Sequence, residues 1–275
     1  MRVIIPDNAS ELIVLSEDIL EKNAADGATS VLSGLDMADM QTKTTLALAQ
    51  HTLAGNLSRD AETATQDRDL ALGPNESFLP GTVRFYVTSI RDFLLGRNRG
   101  KEQHLGDWEF EVNDGEDGSM SVEIPENAFE LIWLAKGILA KHAADGAGSI
   151  LNNFDMADMQ TKTTTANTKH KLSKNLSRRA EKATQNRNLA LGHGKKQNST
   201  TPGTVLFYVS SVRDVLLGIF RGREQELGDW GFNVDASGGG TSPAPTPVVS
   251  SILLTIIKTI LGTPTIVQFR GGPTA

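Results

Sequence analysis

The chain of 275 residues contains no cysteine. That absence removes disulfides, thiolate zinc sites, iron–sulfur ligation and cysteine nucleophiles together, and it leaves the redox compartment open. Aromatic residues are scarce at 5%, with two tyrosines and three tryptophans. Positive charge is in deficit, since 27 Lys and Arg stand against 33 Asp and Glu for a net charge of −6. Such a balance disfavours nucleic acid and anionic lipid as partners of the whole surface, although local basic patches can still form. The opening Met-Arg-Val-Ile-Ile-Pro-Asp is too short an apolar run for a secretory signal, which makes the cytoplasm the default address. Hydrolase and di-metal signatures are missing as well: there is no His-Glu-x-x-His, no Gly-x-Ser-x-Gly and no Glu-x-x-His. Gly192-His193-Gly194-Lys195-Lys196 lacks the spacing and the hydroxyl of a phosphate loop. Asn113 to Gly118 places Gly115 and Ile124 where a calcium loop needs ligands, so it reads as a hairpin turn. No catalytic residue and no cofactor is therefore expected.

What the chain does have is an internal repeat. Ile5-Pro6-Asp7-Asn8-Ala9 returns as Ile124-Pro125-Glu126-Asn127-Ala128, and the ten residues from Asp36 to Thr45 return unchanged from Asp155, at an offset of 119. After Gly73 and Gly192 the offset becomes 122, because the second copy carries three extra residues in that loop. Pro80-Gly81-Thr82-Val83 then matches Pro202-Gly203-Thr204-Val205, and each copy closes on Leu-Gly-Asp-Trp from Leu105 and from Leu227. The period is too long for a solenoid unit. The expectation is a mainly α protein: a tandem duplication of a three-helix module with short terminal β-strands, arranged as a pseudo-twofold helical bundle. The modules are residues 1–117 and 118–236, followed by a Gly, Ser and Pro linker at 237–247 and an apolar tail at 248–275.

Within a module, Asn8 or Ser10 caps a first helix with Leu12, Leu15, Ile19 and Leu20 on one face, stopped at Gly27. A long second helix runs from Gly34 to Leu72. Its inner stripe is Met37, Met40, Thr44, Ala47, His51, Ala54, Ser58, Ala61, Thr65, Arg68 and Leu72, alternating by three and four. Thr82 caps a third helix that buries Val83, Tyr86, Val87, Ile90, Phe93 and Leu94 and ends at Gly96. Trp108, Phe110 and Val112 alternate with Glu109 and Glu111, the period of a half-buried strand, and Met120 to Ile124 supplies a partner across a hairpin. Arg2 to Ile5 and Trp230 to Val234 are the matching strands at the chain's two ends, making a small sheet beside the bundle. Residues 248–261 are strongly apolar, but Lys258, Gly262 and Pro264 cut them short of the roughly 20 residues of a membrane span. They read as a segment that docks on its own or a neighbouring subunit, with a membrane anchor as the minor alternative.

Candidate sites are few. His51 and His170 are the histidines that the repeat shares, and they offer a metal or proton site if two imidazoles meet at the pseudo-twofold axis. The alternative is an ordinary bundle histidine. Met37, Met40, Met156 and Met159 suit core packing better than copper. Charge separates the copies: residues 43–77 hold three basic and five acidic side chains, whereas residues 162–196 hold ten basic and one acidic. Lys171, Lys174, Arg178 and Lys182 follow helical spacing as a basic stripe, which is either a solvated face, a partner for the acidic module, or an anion-binding surface. Trp108, Phe110, Trp230 and Phe232 are expected to pack or dock.

The segments Thr201 to Val209, Val212 to Gly218 and Leu227 to Asp235 resemble the last third of a group of uncharacterised, mostly helical bacterial proteins. In that group a Leu-Gly-Asp-Trp-Gly-Phe segment follows the final helix. The resemblance extends to both modules and implies no catalytic residues, cofactor or substrate. The first copy departs from it at Glu109, where the pattern has Gly, which implies the loss of a tight backbone contact there. Taken together, the residues point to a non-catalytic structural or scaffolding protein that self-assembles or binds protein partners. The competing readings are a metal or small-ligand binder using His51 and His170, with or without an enzymatic role, and a module that binds an anionic partner.

Overall fold

Side-chain caps fix where the helices begin. Asn8 Oδ1 accepts from the Ser10 amide at 2.8 Å and starts α1 (Ala9–Asp26), which ends where Gly27 turns to φ 52°. Asp36 accepts from the Asp39 amide at 2.9 Å and starts α2 (Met37–Leu72), and Thr82 does the same for α3 (Val83–Arg97). The second half repeats these devices at Asn127, Asp155 and Thr204, giving α4 (Ala128–Asp145), α5 (Met156–Leu191) and α6 (Val205–Ile219). Matching helices have equal lengths of 18, 36 and 15 residues. The computed structural model describes residues 2–74, 79–114, 120–194 and 197–235, so the linker, the apolar tail and the tip of the 113–118 turn lie outside the described residues.

The two long helices, each about 54 Å at 1.5 Å per residue, lie antiparallel along one another and form the axis of the molecule. Lys169 meets Asp67 at 2.7 Å and Arg187 meets His51 at 3.2 Å, so the sequence numbers run in opposite directions along the pair. At the waist α2 and α5 touch through Leu57, Ala61, Ala64, Leu176 and Ala180. The inner face there is carried by Leu57 and Ala64, while Ser58 is exposed. The expected stripe holds at Met40, Thr44, Ala47, Ala54, Ala61 and Leu72, and at the waist Leu57 and Ala64 take the buried places expected of Ser58 and Thr65, because a single neighbouring helix decides which side is inside.

A core closes each end. One is built from the end of α2, α3, α4 and the start of α5, with Ile90, Leu94, Leu131 and Ile138 fully buried. The other takes α1, the start of α2, the end of α5 and α6, with Leu12, Ile19, Val209 and Leu216 fully buried. Each core therefore draws on both halves of the sequence: the unit that repeats in the chain is not the unit that packs.

The strands are shorter than the alternation suggests and form two separate pairs instead of one sheet. β2 (Val112–Asp114) and β3 (Met120–Val122) make an antiparallel hairpin between the halves. At the opposite end β1 (Arg2–Ile4) pairs with β4 (Asn233–Asp235). Trp108 and Phe110 are not strand residues. Glu102–Trp108 is a 3-10 segment, and Glu109 then adopts a left-handed φ of 66°. The Phe110 amide donates to the Leu105 carbonyl at 3.3 Å. The reversal leaves both aromatic rings on the same core, as residues two apart in a strand would also be, so their burial does not distinguish the two conformations. Glu224–Trp230 repeats the turn, with Gly231 at φ 83°. Among the described residues, no helix is long and apolar enough to cross a membrane.

Candidate functional site

The residues common to both ends tie the halves together. Tyr86 Oη donates to Asp158 Oδ2 at 2.7 Å, and Tyr208 Oη donates to Asp39 Oδ2 at 2.5 Å, so each short helix is fastened to the first turn of the other half's long helix. Desolvation and the Asp158 carboxylate push the Tyr86 phenol up to about 12; the hydrogen bond to Asp39, together with burial, does the same for Tyr208. Lys22 lies 5.4 Å from the Trp230 ring and Lys141 lies 5.3 Å from the Trp108 ring. Trp108, Phe110, Trp230 and Phe232 are only 3–5% exposed, so all four pack inward and none presents a docking surface.

The glycine expected at position 109 has not been lost without replacement. A Cβ on Gly231 would come within 2.8 Å of Asp18 Cβ on α1. At the other end the glycine sits on the helix instead: a Cβ on Gly137 would meet the Glu109 side chain, whose Cβ lies 2.9 Å away. The close approach survives at both ends, with the small residue on opposite partners.

The ends differ in what they leave open. Between α3, the β2–β3 hairpin and α4 lies a groove of about 1110 Å³. Glu109, Glu111, Glu123, Glu126 and Glu130 contribute to its lining. Arg84 lies at the groove wall, 8% exposed, with Nη2 donating to the Pro125 carbonyl at 3.2 Å and a buried Nε that has no partner. Burial lowers the pKa of this guanidinium from its ordinary value, while the nearby Glu126 acts against that shift. The apolar wall is Phe129 and Trp133, 54% and 64% exposed, with rings stacked at 6.4 Å. Lys174 Nζ stands 5.9 Å from the Phe129 ring. At the opposite end the aligned positions of Arg84, Phe129 and Trp133 are Leu206, Ser10 and Val14, and those of Glu109, Glu111 and Glu123 are Gly231, Asn233 and Ile4. Sequence reasoning missed this site. The signal that marks it is a position-by-position comparison of the repeats, in which two large aromatics and a lone arginine appear in one copy only.

The shared histidines do not meet. Arg187 Nη1 lies 3.2 Å from His51 Nδ1, and His51 Nε2 lies 3.4 Å from Ser10 Oγ. His170 lies under Phe129, with ring centroids 6.1 Å apart and both ring nitrogens buried without a partner. Burial, reinforced by Lys174 and Arg68, lowers its pKa. Replacing Ser10 by Phe129 at the aligned position thus exchanges a hydroxyl partner for a ring. Arg187, the neighbour of His51, lies seventeen positions after His170 on α5, so the two imidazoles lie about 25 Å apart along the bundle. No three His, Cys, Asp or Glu side chains among the described residues form a metal-holding group. Met40 and Met159 are fully buried core residues.

The basic stripe stays on the surface: Lys171, Lys174, Arg178 and Lys182 are exposed, opposite the face of α5 that packs on α2. None of the four is in an ion pair among the described residues, and the one salt bridge between the long helices uses Lys169. No family model, no curated protein and no solved structure matches the chain.

Proposed function

We propose that the protein is a structural or scaffolding protein that self-assembles or binds protein partners, without catalysis of its own. The observation that carries this reading is the groove beside α4. There Phe129 and Trp133 form a stacked aromatic surface facing solvent, next to a buried guanidinium with an unused donor and a rim of carboxylates. Exposed apolar surface rimmed by polar groups is characteristic of protein contact sites, and Trp and Arg dominate the energetics of such contacts. Among the described residues, the groove lining has no nucleophile set against a base and an oxyanion donor, the convergence that acyl or phosphoryl transfer needs. Sedimentation velocity on the full chain over a wide concentration range tests the reading. Association that weakens when Trp133→Ser and Phe129→Ser are introduced is expected. A single monomeric species at every concentration would remove the self-assembling version.

The solvent-facing stripe Lys171, Lys174, Arg178 and Lys182, with no acidic partner among the described residues, favours a second reading as a surface for a polyanion. Binding of heparin should then fall steeply with salt, and Lys171→Gln with Lys182→Gln should reduce the slope by about two counterions. Binding that ignores salt would dismiss it.

A further inference from the structure

Resting on the self-assembly reading, we infer that the groove between α3, the β2–β3 hairpin and α4 receives the apolar tail, residues 248–270, of a second copy of this chain.

Charge is the first argument. The groove is lined by five glutamates and two arginines, so its lining is net acidic, with Lys174 at the Phe129 edge of the aromatic wall and Trp133 on the glutamate side. From residue 236 to residue 275 the chain has no Asp or Glu; its charged side chains there are Lys258 and Arg270. Both cations sit next to apolar residues, after Ile256-Ile257 and after Phe269, so a tail segment presents a cation beside the groups that cover an aromatic face. The second argument is the unused donor. Arg84 Nε is buried and unpaired, and an orphaned donor of that kind costs free energy until an acceptor arrives. The backbone carbonyl of an extended segment lying in the groove provides one without bringing a carboxylate up against the glutamate rim. The third is stoichiometry: one end of the molecule has the groove and its opposite end has Leu206, Ser10 and Val14 at the same places, so one chain carries one receptor and one tail.

The occupant comes from a neighbour because the chain leaves the bundle at the wrong end. Asp235 closes β4, whose Val234 packs on the core opposite to the one that carries the groove. The linker at residues 236–247 spans at most about 40 Å fully extended, against about 54 Å for a long helix. By that length the start of a molecule's own tail falls short of its far end, while a second copy brings its tail without that constraint. Tail of one copy into groove of the next is a heterologous contact, which propagates into rings or open filaments.

Trp133 is a built-in reporter, since Trp108 and Trp230 are buried. The test is iodide quenching and sedimentation on the full chain, with Trp133→Phe as the background for the buried pair. Trp133 is expected to be shielded, and Ile256→Asp with Ile257→Asp is expected to expose it and weaken association about tenfold or more. Glu123→Lys with Glu130→Lys should weaken association similarly, and Lys258→Glu with Arg270→Glu should restore it to within about threefold, as complementary charges require. Arg84→Leu copies the residue of the opposite end, so it tests the donor with little risk to folding. Association that survives the tail substitutions with Trp133 quenched equally throughout would overturn the inference and leave self-assembly standing. A monomeric chain whose Trp133 is nevertheless shielded by its tail would overturn both, because the tail then closes on its own molecule.

Discussion

The two ends of this molecule share a skeleton and differ in surface. At one end α1 and α6 close over the start of α2, and at the other α4 and α3 close over the start of α5, with the same caps, the same turn after the last helix and the same Tyr–Asp fastening. Where the side chains point inward, most residues match, with small changes such as Ile90 against Val212 and Ser16 against Ala135. Outward they diverge freely, with Ser10 against Phe129 and Val14 against Trp133, and at the groove wall the buried Arg84 stands against Leu206. The difference shows what each class of position is constrained by. Packed residues are held by density and by the cost of cavities, whereas exposed ones are free to change, and the groove with its acidic rim is one place where the two copies differ.

The comparison breaks most easily in the cores. Ile19 and Ile138 occupy aligned, fully buried positions. Ile19→Ala and Ile138→Ala should each cost about 2–5 kcal/mol in denaturant unfolding. Losses equal to within about 1 kcal/mol would mean that the ends are energetically equivalent, and a larger gap would show that the surface differences reach inward.

A smaller effect separates the exchanged glycines. Gly231→Glu puts a side chain against Asp18 and should cost about 1–3 kcal/mol. Adding Asp18→Gly recreates the arrangement of Glu109 and Gly137, so the double variant should be more stable than the two single losses imply by about 1 kcal/mol or more. Strict additivity in that thermodynamic cycle would deny the compensation.

The smallest effect concerns the tyrosines. Tyr86→Phe and Tyr208→Phe should each cost about 1 kcal/mol at neutral pH. Both phenols are held above their ordinary value, to about 12, so the fold favours the protonated form. Their contribution is fully present below pH 10, the unfolded value, and is lost as pH rises through about 12. Since the chain has two tyrosines, an ultraviolet phenolate titration reads this pair alone. Ionisation near pH 10 in the folded protein would contradict the Tyr–Asp geometry, and a midpoint differing between the Phe variants would split the ends apart.

Most of the helical framework was legible because its signals are local. Asn8 and Thr82 sit immediately before the helices they cap, and Gly27 sits where α1 must reverse, whereas the start of α2, read at Gly34, lies at Met37 behind the unrecognised cap Asp36. The strand reading of Trp108 and Phe110 failed because alternation in sequence does not distinguish a pleated strand from a 3-10 turn closed by a left-handed residue, and Glu109 carries no glycine to announce it. At the waist of α2 Ala54 and Ala61 were placed correctly but Ser58 and Thr65 were chosen over Leu57 and Ala64, because periodicity gives a stripe but not the direction of the neighbour. The groove escaped notice because its parts, Arg84, Phe129, Trp133 and the hairpin glutamates, are ordinary residues until α3, α4 and β3 bring them together.

What the sequence determined by itself is the inventory: which segments are helical, where they start and stop, and that the second half repeats the first, since backbone capping and hydrophobic period depend on residues a few positions apart. What the tertiary structure decided is the pairing. Whether two histidines meet, which half completes which core, and which unlike residues of the two copies end up facing solvent depend on how two 36-residue helices lie antiparallel. That alignment is set by the summed fit of many distant side chains and is written at no single position.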